Sequence, residues 1–155
     1  MKRNIFLNLL FCALFFCPLF SLEKNDEIAI HAILNQITDS WNVHQGLGFG
    51  NSYCQNADFV NIFGNHFSGK EEIEKRHIFI LRTFLKDSIF TMTTCQLREV
   101  TANLVLAHVS WDVTNITPST KIPSQLKGIF THVFIKENDQ WKITASQNTL
   151  CKEDR

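Results

Sequence analysis

From residue 89 onward the chain repeats every second residue. Four runs, 89–100, 102–115, 126–136 and 140–149, are rich in Val, Ile, Thr, Phe and Trp at period two, the spacing of strands with two distinct faces. Turn signals separate them at Thr101–Asn103, in the Pro118–Pro123 loop and at Asn138-Asp139. In the second run Val105, Ala107, Val109, Trp111 and Val113 share one face, and Leu104, Leu106, His108, Ser110 and Asp112 the other. In the third, Phe130, His132 and Phe134 oppose Ile129, Thr131, Val133 and Ile135. Both faces are substantially apolar, so helices are expected on one and a second copy of the chain on the other.

The segments before residue 89 have helical spacing. Within 25–44, Ile28, Ile33, Leu34, Ile37 and Trp41 fit one helix face, with Asn25 or Asp26 as its cap. The stretch HQGLGFGN, residues 44–51, has no GK[ST] and follows no strand, so it reads as a flexible connection and not as a phosphate cradle. DFVNIF, residues 58–63, reads as a short strand, and GNHFSG as the turn after it. Ser68 and Glu71 have capping-box spacing ahead of a helix whose inner face carries Ile73, His77, Ile80, Leu81 and Phe84. Helices followed by four consecutive strands predict an α+β fold with a mainly antiparallel sheet.

The start of the chain, MKRNIFLNLLFCALFFCPLFSLEKNDE, has a basic n-region at Lys2 and Arg3 and an apolar run from Ile5 to Phe20. That run is short against the ~20 residues needed to span a bilayer, and polar sequence follows at once. Residues 1–21 are therefore expected to be a signal peptide and 22–155 a single domain, exported to the periplasm or medium and without membrane contact after cleavage. The 155 residues carry 15 basic and 15 acidic side chains, a balance that gives no footprint for nucleic acid. Cys54, Cys95 and Cys151 would remain after cleavage, with their pairing open. Neither their spacing nor that of the six histidines forms a metal motif, so no metal or cofactor is expected.

ADFVNIFG, the GKEEI helix start with His77 four residues beyond Ile73, and the terminal W-K-I-x-A-x-Q-N-T together resemble the nuclear transport factor 2-like superfamily. The nearest likeness within it is to SnoaL-like proteins of the SgcJ/EcaC type, over roughly residues 25 to 150. The resemblance implies a strongly curved, cone-shaped sheet whose concave face is closed by the N-terminal helices. It also implies a pocket at the mouth of the cone and a homodimer through the convex face. That scaffold hosts isomerases, dehydratases, cyclases, hydrolases and non-catalytic modules, so fold alone does not decide chemistry.

In such a cone the ligand-facing set is expected to include Trp41, Tyr53, Asn61, His77, Leu81, His108, Gln147 and Asn148, with His132 as an alternative to His108. His77 is the candidate acid/base, and Asp112 could orient it. Ketosteroid-isomerase-like chemistry is disfavoured. The strand's carboxylate, Asp58, stands at its start, and the one tyrosine, Tyr53, precedes it. For His77 three readings stay open: a hydrogen-bonded core residue, a ligand contact, or a catalytic group. They correspond to an interaction module, a binder of a small apolar or carbonyl-containing molecule, and an enzyme of the cyclase, isomerase or dehydratase type.

Overall fold

The computed structural model describes residues 22–118 and 123–151; the expected signal peptide, 1–21, lies outside them. Helix α1 runs Lys24–Asn42 and buries Ile30, Leu34, Ile37 and Trp41. This stripe has the spacing of one helix face, but it is rotated from the expected one, because Ile28 is 57% exposed. The expected cap is also replaced. Glu23 is the N-cap residue and makes no side-chain cap, while Asp26 accepts hydrogen bonds of 2.9 Å from both Trp141 Nε1 and Lys136 Nζ. The first turn of α1 is thereby tied to the far end of the sheet.

The glycine-rich connection is a built element and not a flexible one. Phe49–Ser52 forms a 3-10 turn, and Gly46 adopts φ +67 against the second helix. A Cβ at Gly46 would stand 2.6 Å from the backbone nitrogen of Ile78, so only glycine permits this approach.

Strand β1 spans Tyr53–Val60, starting earlier and ending sooner than DFVNIF suggested. It pairs antiparallel with β2, His66–Ser68, a strand hidden in what reads as a turn. Ser68 stands opposite Asp58 as a strand residue, which removes it from the N-cap. Gly69, at φ 84, takes that place ahead of helix α2, Lys70–Arg82. The capping box therefore forms only in part: Glu72, and not Glu71, reaches back to the Ser68 N–H at 2.8 Å. Glu71 accepts from Gln55 Nε2 at 2.9 Å.

The remaining strands are β3 Ile89–Thr101, β4 Leu104–Thr114, β5 Leu126–Glu137 and β6 Gln140–Leu150. They complete a six-stranded sheet of order β2-β1-β6-β5-β4-β3. All neighbours are antiparallel except β1 and β6, which run parallel. The result is an α+β fold in which two helices pack on one face of an open, curved, mainly antiparallel sheet. Val105, Ala107, Val109, Trp111 and Val113 of β4 lie buried on the helix-covered face with Phe130 and Phe134 of β5.

One irregularity decides which residues of β6 face inward. Phe134 pairs with Ile143, but Val133 pairs with Ala145, so Thr144 is an inserted residue, a β-bulge. Trp141 and Ile143 point inward before it; Ser146 and Asn148 do so after it, opposite His132 and Phe130.

Candidate functional site

Between the helices and the sheet lies a cavity of about 280 Å³. Its wall is built by every layer of the fold. Helix α1 supplies Trp41, β1 Phe59, α2 His77 and Ile80, β4 Trp111 and Val113, β5 Phe130 and β6 Asn148. Trp41, Phe59, His77, Trp111 and Phe130 are buried and form its deep end. The half-buried Arg76 and the 60% exposed Phe63 mark the side open to solvent.

His77 sits at the deep end in an aromatic frame. Phe49, delivered by the glycine-clamped turn, stacks on its ring at 3.5 Å between centroids. Phe59 meets it edge-on at 5.2 Å, and Trp41 at 6.3 Å. Nδ1 lies 2.7 Å from the Ile73 carbonyl oxygen. A carbonyl can only accept, so Nδ1 carries the proton and Nε2 keeps its lone pair. Burial lowers the His77 pKa to about 4, against a smaller opposing effect of the Ile73 bond. At neutral pH the ring is uncharged and offers an acceptor.

The other polar wall groups are equally constrained. Trp111 Nε1 donates to Asn148 Oδ1 at 3.0 Å. Because the indole N–H can only donate, this fixes the amide with its NH₂ group as the remaining donor. Asn61 Oδ1 accepts from the backbone N–H groups of Phe63 and Asn65, both at 2.9 Å, and so shapes the turn at the rim. Trp41 Nε1 is committed to Ser88 Oγ at 3.0 Å.

Of the residues expected to line a pocket, the structure thus brings Trp41, Asn61, His77 and Asn148 together. The others stand elsewhere. Leu81 is buried beneath α2, outside the cavity. Tyr53 is buried at the start of β1, where Ser146 Oγ lies 3.2 Å from its hydroxyl. His108 is exposed on the outer face, paired with Thr131, because β4 alternates and its odd-numbered residues point inward. Gln147 is exposed because the bulge at Thr144 reverses the parity of β6. Asp112 also faces outward, 3.8 Å from Lys127, so it does not orient His77. Cys54, Cys95 and Cys151 are free thiols.

His132, the alternative to His108, is on the inner face but away from the cavity. Its Nδ1 lies 2.7 Å from Ser146 Oγ, and burial lowers its pKa to about 3. Burial also pushes the Tyr53 hydroxyl up. A serine beside a histidine invites a nucleophilic reading, yet Tyr53, His132 and Ser146 are all buried and none lines the cavity. They form a polar bridge that joins β1, β6 and β5. Among the described residues no cluster of His, Cys, Asp or Glu has metal-binding geometry.

Sequence reasoning missed Arg76, Phe49 and Trp111 as parts of the site. Arg76 read as the polar flank of α2, although its position one residue before His77 puts it beside the inward face. Phe49 reached His77 through a loop whose close packing on α2 is signalled by Gly46 and Gly50.

No family model matches the chain, and no curated protein does either. Solved structures do. A domain of unknown function with a cystatin-like fold from Nostoc punctiforme is 27% identical, covers 84% of this chain and 80% of its own, and superposes with a TM-score of 0.76. A protein with a cystatin-like fold from Caulobacter vibrioides is 22% identical over 83% of this chain and 91% of its own, with a TM-score of 0.76. A hexachlorocyclohexane dehydrochlorinase, LinA type 2, is 13% identical over 83% and 86%, with a TM-score of 0.69. The chain has the cystatin-like, nuclear transport factor 2-like fold.

Proposed function

We propose that this protein is an exported binder of a small, largely apolar molecule, which it holds in the cavity beneath α1 and α2. The observation that carries the reading is the pairing of an aromatic cavity with two fixed, opposite hydrogen-bonding groups. His77 Nε2 presents an acceptor, and the Asn148 amide presents a donor. Ligand sites commonly combine an apolar wall with a few placed polar groups. At about 280 Å³ the cavity lies at the small end of the usual ~300–1,000 Å³ range. A compact molecule with an apolar body and a hydroxyl, amide or carbonyl group matches it. The quoted motifs favour the SgcJ/EcaC-type SnoaL-like branch as its home, and the apolar run before Leu22 supports export.

An enzyme of the dehydratase or isomerase type is the second reading. His77 has a lone pair facing the cavity, and LinA, with a related fold, is a dehydrochlorinase. Two features weigh toward binding. The partner of Nδ1 is a neutral carbonyl and not a carboxylate, so no opposite charge stabilises an imidazolium and the Ile73 bond only partly offsets burial. A pKa of about 4 also makes the ring a weak base at neutral pH. The outer sheet face supports a homodimer. Leu104 pairs with Ile135 and Leu106 with Val133 across β4 and β5, an apolar strip on the side away from the helices.

The test is titration of the purified protein with neutral medium-chain alcohols and amides, read by tryptophan fluorescence and by the His77 ring resonances. Saturable binding that shifts those resonances, and is lost in the cavity-filled Val113→Phe variant, is the expected result. Binding that Val113→Phe leaves intact would place the ligand elsewhere and overturn the reading. Chemical conversion of a bound probe that His77→Gln abolishes would move the conclusion to the enzyme.

A further inference from the structure

Arg76 is the one cationic side chain among the described residues that line the cavity. Its guanidinium lies 5.7 Å from the centroid of Phe67 and 5.7 Å from that of Phe79. Those rings satisfy the faces of the group and hold it in place. They do nothing for its edge, where five N–H donors point outward in the guanidinium plane.

The carboxylates that would ordinarily take those donors are turned to other work. Glu72, one helical turn before Arg76 and its natural i,i+4 partner, accepts the Ser68 backbone N–H at 2.8 Å. Glu71 accepts from Gln55, and Glu74 accepts the Gly50 backbone N–H at 3.2 Å. Asp58 on the adjoining strand pairs with His66 Nε2 at 2.7 Å. Among the described residues, Arg76 has no carboxylate within ion-pair distance and no hydrogen-bond acceptor. Partial burial lowers its pKa, a direction that an anion beside it would reverse.

Resting on the binding reading above, we infer that the cavity's ligand is an amphipathic carboxylate, its apolar body among Trp41, Phe59, Trp111 and Phe130 and its carboxylate on Arg76. The arrangement suits that chemistry in three respects. The charge stays at the half-buried rim, where desolvation costs less than in the deep end. A planar carboxylate matches the guanidinium fork in bidentate fashion. The deep end, with a neutral His77, contains no second charge to compete. A carbonyl or hydroxyl along the body of the molecule would still meet Asn148 or His77.

The experiment compares octanoate with octanamide, which share a chain and differ in charge, by calorimetric titration of the wild type, Arg76→Gln and Arg76→Lys. The wild type is expected to prefer octanoate by roughly tenfold to a hundredfold, the scale of a hydrogen bond to a charged group, with the preference shrinking as salt is added. Arg76→Gln should lose most of that preference while weakening octanamide far less, and Arg76→Lys should keep part of it. Retained octanamide binding shows that a variant is folded. Equal affinity for the two probes in the wild type, or a preference for octanoate that survives Arg76→Gln, would overturn the carboxylate inference and leave the binding reading standing. Binding of neither probe would overturn both.

Discussion

Phe49 and His77 stack with their ring centroids 3.5 Å apart and their planes 12° from parallel. The contact joins a loop to a helix and covers one face of the His77 ring with a buried aromatic side chain. Phe49→Ala should therefore have two separable effects. Stability should fall by about 3–5 kcal/mol, the usual range for a buried phenylalanine, read from urea denaturation. The His77 ring should also titrate closer to its ordinary value, as water replaces the stacked ring.

The buried histidines predict an acid sensitivity whose sign is fixed. His77 is lowered to about 4 and His132 to about 3, whereas both titrate near 6.5 once unfolded. Between those values the unfolded chain holds more protons, so stability is complete above pH ~6.5 and declines as pH falls toward the folded values. Each group contributes a slope of about 1.4 kcal/mol per pH unit within its window. Urea midpoints measured from pH 7 to pH 4.5 should show the decline, and His77→Gln should make it shallower. A flat profile over that range would contradict the buried, neutral assignment of both rings.

Asp26 acts in the same direction at lower pH. Its hydrogen bond from Trp141, and then that from Lys136, hold its carboxyl below the usual carboxylate range. The resulting stability is full above pH ~4 and is lost as pH falls through the depressed folded value. Asp26→Ala should cost about 1 kcal/mol at neutral pH, since the site is near the surface and screened. It should also loosen the first turn of α1, visible as faster amide exchange there. Asp26→Asn, which keeps an acceptor for Trp141, should recover part of the loss.

Gly46→Ala tests the loop clamp. The new Cβ would meet the backbone of His77 and Ile78, and φ +67 is strained for any residue with a side chain. A loss of about 1–3 kcal/mol is expected, together with weaker probe binding as Phe49 withdraws from His77. Gly64→Ala is the control: it shares a positive φ but meets nothing within 4 Å, so it should affect stability less and leave the cavity unchanged.

The sheet was legible in the sequence because burial on one face enforces a period of two over long runs, and β4 follows that pattern from Leu104 to Thr114. The inward stripe of α2 was legible for the same reason at helical period. Local geometry that depends on a distant partner was not. Ser68 looks like a helix cap until its pairing with Asp58 makes it a strand residue. Asp26 looks like a cap until Trp141 and Lys136, more than a hundred residues away, claim its carboxylate. Gln147 and Asn148 were both plausible pocket residues, and nothing in WKITASQNT marks Thr144 as the place where the strand changes step.

That change of step has a consequence for how such a site could diversify. The side chains that β6 turns toward the cavity are set by reading frame as well as by spelling. Removing Thr144 would only restore the regular ladder, with Ser146 and Asn148 still inward opposite His132 and Phe130, whereas removing Gln147 with the bulge kept would turn Asn148 outward and put Thr149 in its place. A single-codon deletion is thus silent for the wall at the bulge and re-addresses it further along the strand, where point substitutions would need several.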